Sequence, residues 1–360
     1  MKREIVRSRP SRPLRKREIV RSRPSRPLRK RVLYVHSRKA SFVAIDREIL
    51  ASEYEVEDLY QPGRVPNLLK IVPAVLRADL VFGWFASWHT FVPMTLAWLL
   101  RKPSVQIIGG FDTANMPDIG YGYQQGGLRR WASRWIMRRA RRLITNSEYS
   151  RSEIAANTPI PPESVTVVHH GVPDPFGPLD EDREREPIAL TVGHLVTSTL
   201  MQKGHQPFVE AARELPDVRF VFVGKAHDDA IDHLRSLATP NVEFTGWVSD
   251  EDLEDLYRRA SVYVQASRHE GFGLAVAEAM LAGCVPVVMD VTAMPEVVDG
   301  AGVLISSQEP AAVAQGVRDA LALGPAGASR ARERIVQTFP MKIRREGILE
   351  VVAQALEEPR

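Results

Sequence analysis

The chain has 360 residues, 44% of them hydrophobic and 26% charged, with 23 Gly and 26 Pro. That length suits two domains and excludes a disulfide-stapled mini-protein, a collagen-like chain and a wholly disordered one. The formal charge of +4 conceals a split: residues 1–31 carry 14 Lys/Arg and 2 Glu, a net of +12, which leaves 34 basic and 42 acidic residues, a net of −8, for the body.

A mildly acidic body argues against a nucleic-acid-binding fold, which carries its positive charge on the fold itself. A single cysteine, Cys284, cannot form an internal disulfide, which fits a reducing cytoplasm. It precedes Val285-Pro286-Val287-Val288 and reads as a small buried apolar residue.

Residues 2–15 and 16–29 are identical copies of KREIVRSRPSRPLR. Each copy offers only an Ile-Val pair and a Leu, too little apolar surface to order it, so the arm reads as disordered. It is an electrostatic tether to anionic lipid or nucleic acid, or else the mark of a recent duplication or a misplaced start codon. No apolar h-region of a secretory signal is visible.

From Val32 short apolar runs alternate with helical patterns. Strands are predicted at 32–35, 54–56, 80–83, 105–108, 143–145 and 165–168, and helices at 40–52, 65–77, 90–101, 127–142 and 147–156. This is a βαβ series, hence a parallel sheet covered on both faces. Residues 80–100 hold no Asp, Glu, Lys or Arg and are long enough to span a membrane. Gly83, Ser87, His89, Thr90 and Pro93 interrupt them, so the segment reads as a buried strand, a loop at Ser87-Trp88-His89 and a helix to Leu100. The basic stretch 128–142 places Trp131 and Trp135 four residues apart on one helix face. It reads as an interfacial helix docking on an anionic membrane near a lipid-linked acceptor, or as a helix with its tryptophans packed inward and its arginines in water.

Residues 172–187 hold four Pro and eight charges and form the linker. Asp180-Glu181-Asp182 matches the D-x-D pattern of metal-dependent transferases but reads as a solvated charge run. No His/Cys cluster has metal-ligand spacing, and no metal is expected. A second series follows, with strands at 188–192, 219–223, 242–245, 262–264, 285–288 and 302–305 and helices at 205–214, 227–237, 250–260, 274–282 and 309–322. A helical tail runs from 328 to 358 with a break near Pro340. The expected organisation is α/β: a basic arm (1–31), one Rossmann-like domain (32–171), a linker (172–187), a second doubly wound domain (188–338) and a terminal helix (339–360). The two domains face each other across a cleft.

The strongest constellation runs from Ser267 to Met280, SRHEGFGLAVAEAM. Gly271 and Gly273 permit a tight turn, and the helix from Leu274 presents free N–H groups suited to a diphosphate. Glu278 lies four residues in, on the face of Leu274, placed to accept hydrogen bonds from ribose hydroxyls. Glu270 stands on the other side of that diphosphate. The second constellation is Gly193-His194, ending the first strand of the second domain, with Lys203-Gly204 opening its first helix. Lys203 is a point charge able to neutralise a leaving group. A third is Gly109-Gly110-Phe111-Asp112. Asp112 either bonds a sugar or acceptor hydroxyl or caps a tight turn.

Glu270 and Glu278 at Glu-x7-Glu spacing, Lys203-Gly204 and the stretch AGCVPVVMDVTAMPEVV from Ala282 to Val298 together resemble retaining glycosyltransferases of the GT-B fold, of the family 4 or group 1 kind. The resemblance implies that Glu278 binds the nucleotide ribose and Glu270 a hydroxyl of the donor sugar. It implies amide contacts from Phe272, Gly273 and Leu274, charge neutralisation by Lys203 and a backbone contact of Val248 with the base. Asn146-Ser147 and His170-Gly171-Val172 also look like family landmarks.

There are departures. Many members place Arg after the glycine matching Gly193, where this chain has His194; another cation, or His194 when protonated, would replace it. Many place a His where Gly109-Gly110-Phe111-Asp112 stands. A common Gly-Gly pair before Pro295-Glu296 is Thr292-Ala293 here. The usual Gly-Gly loop after the first strand is His36-Ser37-Arg38-Lys39-Ala40-Ser41-Phe42.

The function implied is transfer of a sugar, with retained configuration, from a nucleotide-diphosphate donor to a glycan or lipid-linked acceptor. Catalytic roles fall to Glu270, Lys203 and Asp112, without a cofactor. The enzyme would be cytoplasmic, peripheral on the inner face of the plasma membrane, with no nucleic-acid partner. The alternatives are a sugar phosphorylase or epimerase of the same architecture, or a nucleic-acid- or membrane-binding protein acting through the arm.

Overall fold

The computed structural model describes residues 29–63, 65–180 and 184–358. Nearly all of the repeat arm, and Glu181-Asp182 of the D-x-D triplet, lie outside the described residues. The first domain contains β1 (Arg31–His36), α1 (Ser41–Glu53), β2 (Glu55–Tyr60), α2 (Leu68–Arg77), β3 (Leu80–Trp84), α3 (Trp88–Leu99), β4 (Ser104–Ile107), α4 (Gly127–Arg139), β5 (Arg142–Thr145), α5 (Glu148–Asn157) and β6 (Val165–Val167). Every strand pairing in it is parallel, in the order β2-β1-β3-β4-β5-β6. β3 and β4 are buried along their whole length, as a sheet covered on both faces requires.

The second domain runs β7 (Glu186–Val192), α6 (Leu200–Lys203), α7 (His205–Ala211), β8 (Arg219–Val223), α8 (Ala230–Leu237), β9 (Val242–Gly246), α9 (Asp250–Arg259), β10 (Ala260–Gln265), α10 (Leu274–Leu281), β11 (Val285–Met289), α11 (Met294–Val298), β12 (Val303–Ile305), α12 (Pro310–Ala322) and α13 (Gly324–Thr338). Its strands are parallel in the order β12-β11-β10-β7-β8-β9. The stretch 80–100 is a buried strand followed by a 12-residue helix. Among the described residues, no helix is long and apolar enough to cross a membrane. The short helices α6 and α11 carry too few residues for a periodic signal, and the sequence pattern did not show them. Cys284 is fully buried, as expected.

The terminal helix α14 (Met341–Glu357) leaves the second domain and packs on the first. Ile348, Val351, Val352 and Ala355 share a core with Val32, Tyr34 and Phe82. Arg344, fully buried, donates to both Asp46 carboxylate oxygens at 2.9 and 2.6 Å, to Asn146 Oδ1 at 3.2 Å and to the Val168 carbonyl at 2.6 Å. Burial pushes the Asp46 carboxyl up, against the pull of Arg344. Removing one member of such a pair strands a buried charge. Arg344→Ala is therefore expected to cost about 3–5 kcal/mol of stability in thermal or denaturant unfolding. Arg344→Lys should recover little, because an ammonium lacks the planar fork that reaches all three acceptor residues.

Candidate active site

In a doubly wound sheet, ligands bind beyond the carboxyl ends of the strands where strand order reverses. In the second sheet that point lies between β7 and β10. β7 delivers Gly193 and His194 to it, and β10 delivers the loop that leads into α10. Lys203 Nζ donates to Glu270 Oε1 at 2.6 Å, and Gln265 Nε2 donates to the same oxygen at 2.7 Å. The Glu270 side chain is only 15% exposed. Burial alone would raise its carboxyl; the Lys203 ammonium outweighs that and holds it below the ordinary range. The Glu270 amide donates to Thr292 Oγ1 at 3.3 Å.

Lys203 closes the four-residue α6 and does not open a helix, which corrects the sequence expectation. The reason is Gly204, at φ +70°, whose Cβ, if present, would stand 2.2 Å from the Ala266 carbonyl oxygen. This left-handed turn ends α6, starts α7 and brings the lysine against the β10 loop. Gly273 plays the same part at the mouth of α10: φ is +91°, and a Cβ would stand 2.4 Å from Met294 Cε. α10 has no side-chain cap and no acid in its first turn, so its leading amides can serve an anion. Phe272 is buried against His169, His170 and Phe339, which fixes the turn from below.

Glu278, one turn into α10, is partly buried. Burial first, then the charge of Asp250, pushes its carboxyl up to about 7. Asp250 begins α9, two residues after Val248, and Val248 packs half-buried on the core beneath α10. Glu270 and Glu278 thus flank the Phe272–Leu274 turn, with Glu278 beside the Val248 segment.

The first domain meets this loop directly. Ser147 and Ser150 donate their hydroxyls to the Gly271 carbonyl at 2.8 and 3.3 Å. Glu296 accepts the Glu148 and Tyr149 amides at the start of α5, at 3.0 and 3.1 Å, and bonds His169 Nε2 at 2.7 Å. His269 Nε2 sits 2.7 Å from Glu153 Oε1, both buried. Sequence reasoning missed Gln265 and Glu153 as parts of the site, and gave His269 and Thr292 no role in it. The one available signal was Gln265, a polar residue at the end of a strand beside the switch point.

Two expectations are corrected. Asp112 is fully buried, and its two oxygens accept the Ala86 amide at 2.8 Å and the Gly109 amide at 3.1 Å. Burial pushes its carboxyl up to about 7. It pins two turns and presents no face to the cleft. His194 is exposed, with Nδ1 3.1 Å from His227 Nε2, and its pKa is lowered by partial burial, then by His227 and Lys225. With its charged form disfavoured, His194 is a poor substitute for the arginine common elsewhere, and Lys225 is a cation close to it. Gly193 directly follows β7 (Glu186–Val192); a Cβ there would stand 2.8 Å from the buried His205 Nε2. Among the described residues, no group of three His, Cys, Asp or Glu could hold a metal.

The family model for Glycosyltransferase Family 4 matches residues 18–174, and that for Glycosyl transferases group 1 matches residues 186–322. Each covers one of the two domains. This chain is a group 1 glycosyltransferase of the GT-B fold. It is 29% identical over 318 residues to the D-inositol 3-phosphate glycosyltransferase of Mycobacterium sp. (strain JLS), covering 81% of this chain and 72% of the relative. The protein of that name in Mycobacterium tuberculosis is 28% identical over 343 residues, covering 87% of this chain and 70% of the relative. Among solved structures, Anabaena HepE with UDP and glucose superposes at TM-score 0.70 and 18% identity, covering 90% of this chain and 100% of that one. Sucrose-phosphate synthase of Thermosynechococcus elongatus gives 0.70 at 17% identity, covering 91% and 99%.

The raised Glu278 carboxyl gives this glycosyltransferase a measurable pH dependence. A carboxyl moved from 4.5 to about 7 contributes stability that is complete below pH 4.5 and lost as pH rises through about 7. Glu278→Gln, always neutral, should not show that loss, so its melting temperature should gain on the parent's across this window. Asp112 titrates in the same range in both proteins and cancels from the difference. Parallel pH profiles would remove Glu278 from the account.

Proposed function

We propose that this glycosyltransferase moves a sugar, with retained anomeric configuration, from a nucleotide-diphosphate donor held by the second domain. The observation that carries the reading is the Lys203–Glu270 contact beside the uncapped mouth of α10. The barrier to such transfer is departure of an anionic diphosphate from a carbon gaining positive charge. Fixed positive groups on the leaving group lower it. Lys203 and the amides of Phe272, Gly273 and Leu274 supply that charge, so the proposed chemistry calls for no metal. Glu270 meets the sugar and Glu278 the ribose, with the base against the backbone of Val248. The UDP and glucose named for a structural neighbour support this donor class.

Lys203→Ala and Glu270→Ala should each lower turnover about a hundredfold to a thousandfold while the purified variants melt cooperatively. Wild-type turnover in either would remove that residue from the chemistry. UDP-, GDP- and ADP-sugars, compared for protection against thermal unfolding, should single out one nucleotide. Nuclear magnetic resonance of the product's anomeric centre then reads the stereochemistry. A donor consumed without any acceptor, and released as an isomer or a sugar phosphate, would favour the epimerase or phosphorylase alternative.

The acceptor-side domain is also proposed to dock on an anionic membrane. Most of the exposed large apolar side chains among the described residues lie on α2, α3 and α4 and the segments adjoining them. Leu69 is 89% exposed, Leu128 72% and Trp131 51%, joined by Leu76, Trp98 and Leu99. Trp135 turns inward, its indole N–H on Thr95 Oγ1 at 3.1 Å, while Arg130, Arg134, Arg138 and Arg139 flank the tryptophans. An apolar face rimmed by arginines matches an anionic interface. Leu69→Glu with Trp131→Glu should abolish co-sedimentation with phosphatidylglycerol vesicles, and added salt should weaken the parent's binding. Equal binding of parent and variant would exclude this face.

A further inference from the structure

β10 and β11 are adjacent parallel strands, with Gln265, the last residue of β10, level with Val288. The loops leaving their carboxyl ends are therefore neighbours. One carries Glu270; the other, residues 290–293, leads into α11. The Thr292 hydroxyl oxygen accepts the Glu270 amide, and the Ala293 amide in turn donates to the Glu270 carbonyl at 3.4 Å. One turn thus holds the main chain of Glu270 on both sides, while Lys203 and Gln265 hold its carboxylate.

That turn has an uncommon backbone. Among the described residues, Phe85, Arg101, Thr292 and Asp299 take a left-handed conformation without being glycine, and Thr292, at φ +61°, is the β-branched one of the four. A side chain branched at Cβ crowds the main chain there, and such strain persists only where the surroundings over-determine it. Here they do. Ala293 and Met294 are fully buried, the Met294 amide closes the turn on the Val291 carbonyl at 3.4 Å, and Met294 Cε closes on Gly273 at the mouth of α10. Glycine would adopt this backbone without strain, but it would lack the hydroxyl that meets Glu270.

Gln265 is as specific in its contact. It follows the buried Val262, Tyr263 and Val264, and its side-chain amide is spent on Glu270 Oε1. Two polar side chains from two neighbouring strand ends therefore converge on one glutamate, one at its main chain and one at its carboxylate. We propose that Thr292 and Gln265 are positioning residues for Glu270, fixing the direction in which its carboxylate meets the donor sugar. This rests on the reading above that places the sugar at Glu270. A carboxylate already held from both ends need not be ordered when the sugar arrives, and that is where such residues act on rate and affinity.

The test uses the full-length protein and needs no acceptor. Affinities are measured by calorimetric titration for the nucleotide sugar that best protects the protein and for its bare nucleoside diphosphate. Turnover is read as nucleoside diphosphate released while water takes the sugar. Thr292→Gly, free of strain, and Gln265→Leu, of similar size, should each lower affinity for the nucleotide sugar relative to the bare nucleotide about threefold to tenfold, and turnover about tenfold to a hundredfold. Both should still melt cooperatively and bind the bare nucleotide as the parent does. Thr292→Ser keeps the accepting oxygen and should restore most of the loss. Because the effect runs through Glu270, neither substitution should lower the affinity ratio further in a Glu270→Ala background. Parent values in both single variants, or an equal further loss on top of Glu270→Ala, overturn the proposal. If Glu270→Ala itself matches the parent, the donor reading fails instead, which separates the two.

Discussion

The site is organised around a lysine and a glutamate 2.6 Å apart on loops 67 residues distant in sequence. Glu270 is nearly enclosed, so its charge is tolerable only with the Lys203 ammonium and the Gln265 amide against it. Lys203 reaches it only because Gly204 turns the chain through a left-handed conformation that no side chain would fit. The contact fixes the loop entering α10, and that loop presents both the helix amides and the Gly271 carbonyl to the cleft. A side-chain cation and a set of backbone dipoles are thereby brought to one place, which is what the proposed departure of a diphosphate calls for.

The same loop is where the domains meet. Ser147 and Ser150 hold the Gly271 carbonyl, Glu296 caps α5 from the other domain, and the buried His269–Glu153 contact closes the gap between them. On the far side, α14 returns to the first domain and is locked there by Arg344 on Asp46. Relative motion of the domains would exchange the bonds of Gly271, His269 and Glu296, and the first two lie beside Glu270 in the loop entering α10.

Much of the fold was legible. Runs such as Leu80–Trp84 and Val285–Met289 are apolar at successive positions because both faces of a parallel strand are covered, and that leaves a continuous signature. The glycine-bracketed turn before α10 and the spacing of Glu270 and Glu278 were visible because they are local. Two roles went astray, and both depended on surroundings. Asp112 follows two glycines at the end of a strand, which suits a ligand contact and a turn pin equally. The Ala86 amide, 26 residues earlier in the chain, takes one oxygen and decides the matter. His194 had the right position for a cation, but partial burial first, then His227 and Lys225, disfavours its charged form. The lysine before Gly204 reads as a helix start in the sequence because a four-residue helix is barely one turn, too short to repeat an apolar period.

The sequence by itself determined the two parallel sheets, the break between them and the turn that opens α10. Each of these is written in the spacing of neighbouring residues and in glycines that alone accept the backbone required. Tertiary structure alone decided which buried carboxylate is a strut, where the last helix docks and which turn braces Glu270. Those outcomes depend on the approach of residues tens to hundreds of positions apart. That approach is set by strand order and domain packing, which leave no trace in local periodicity.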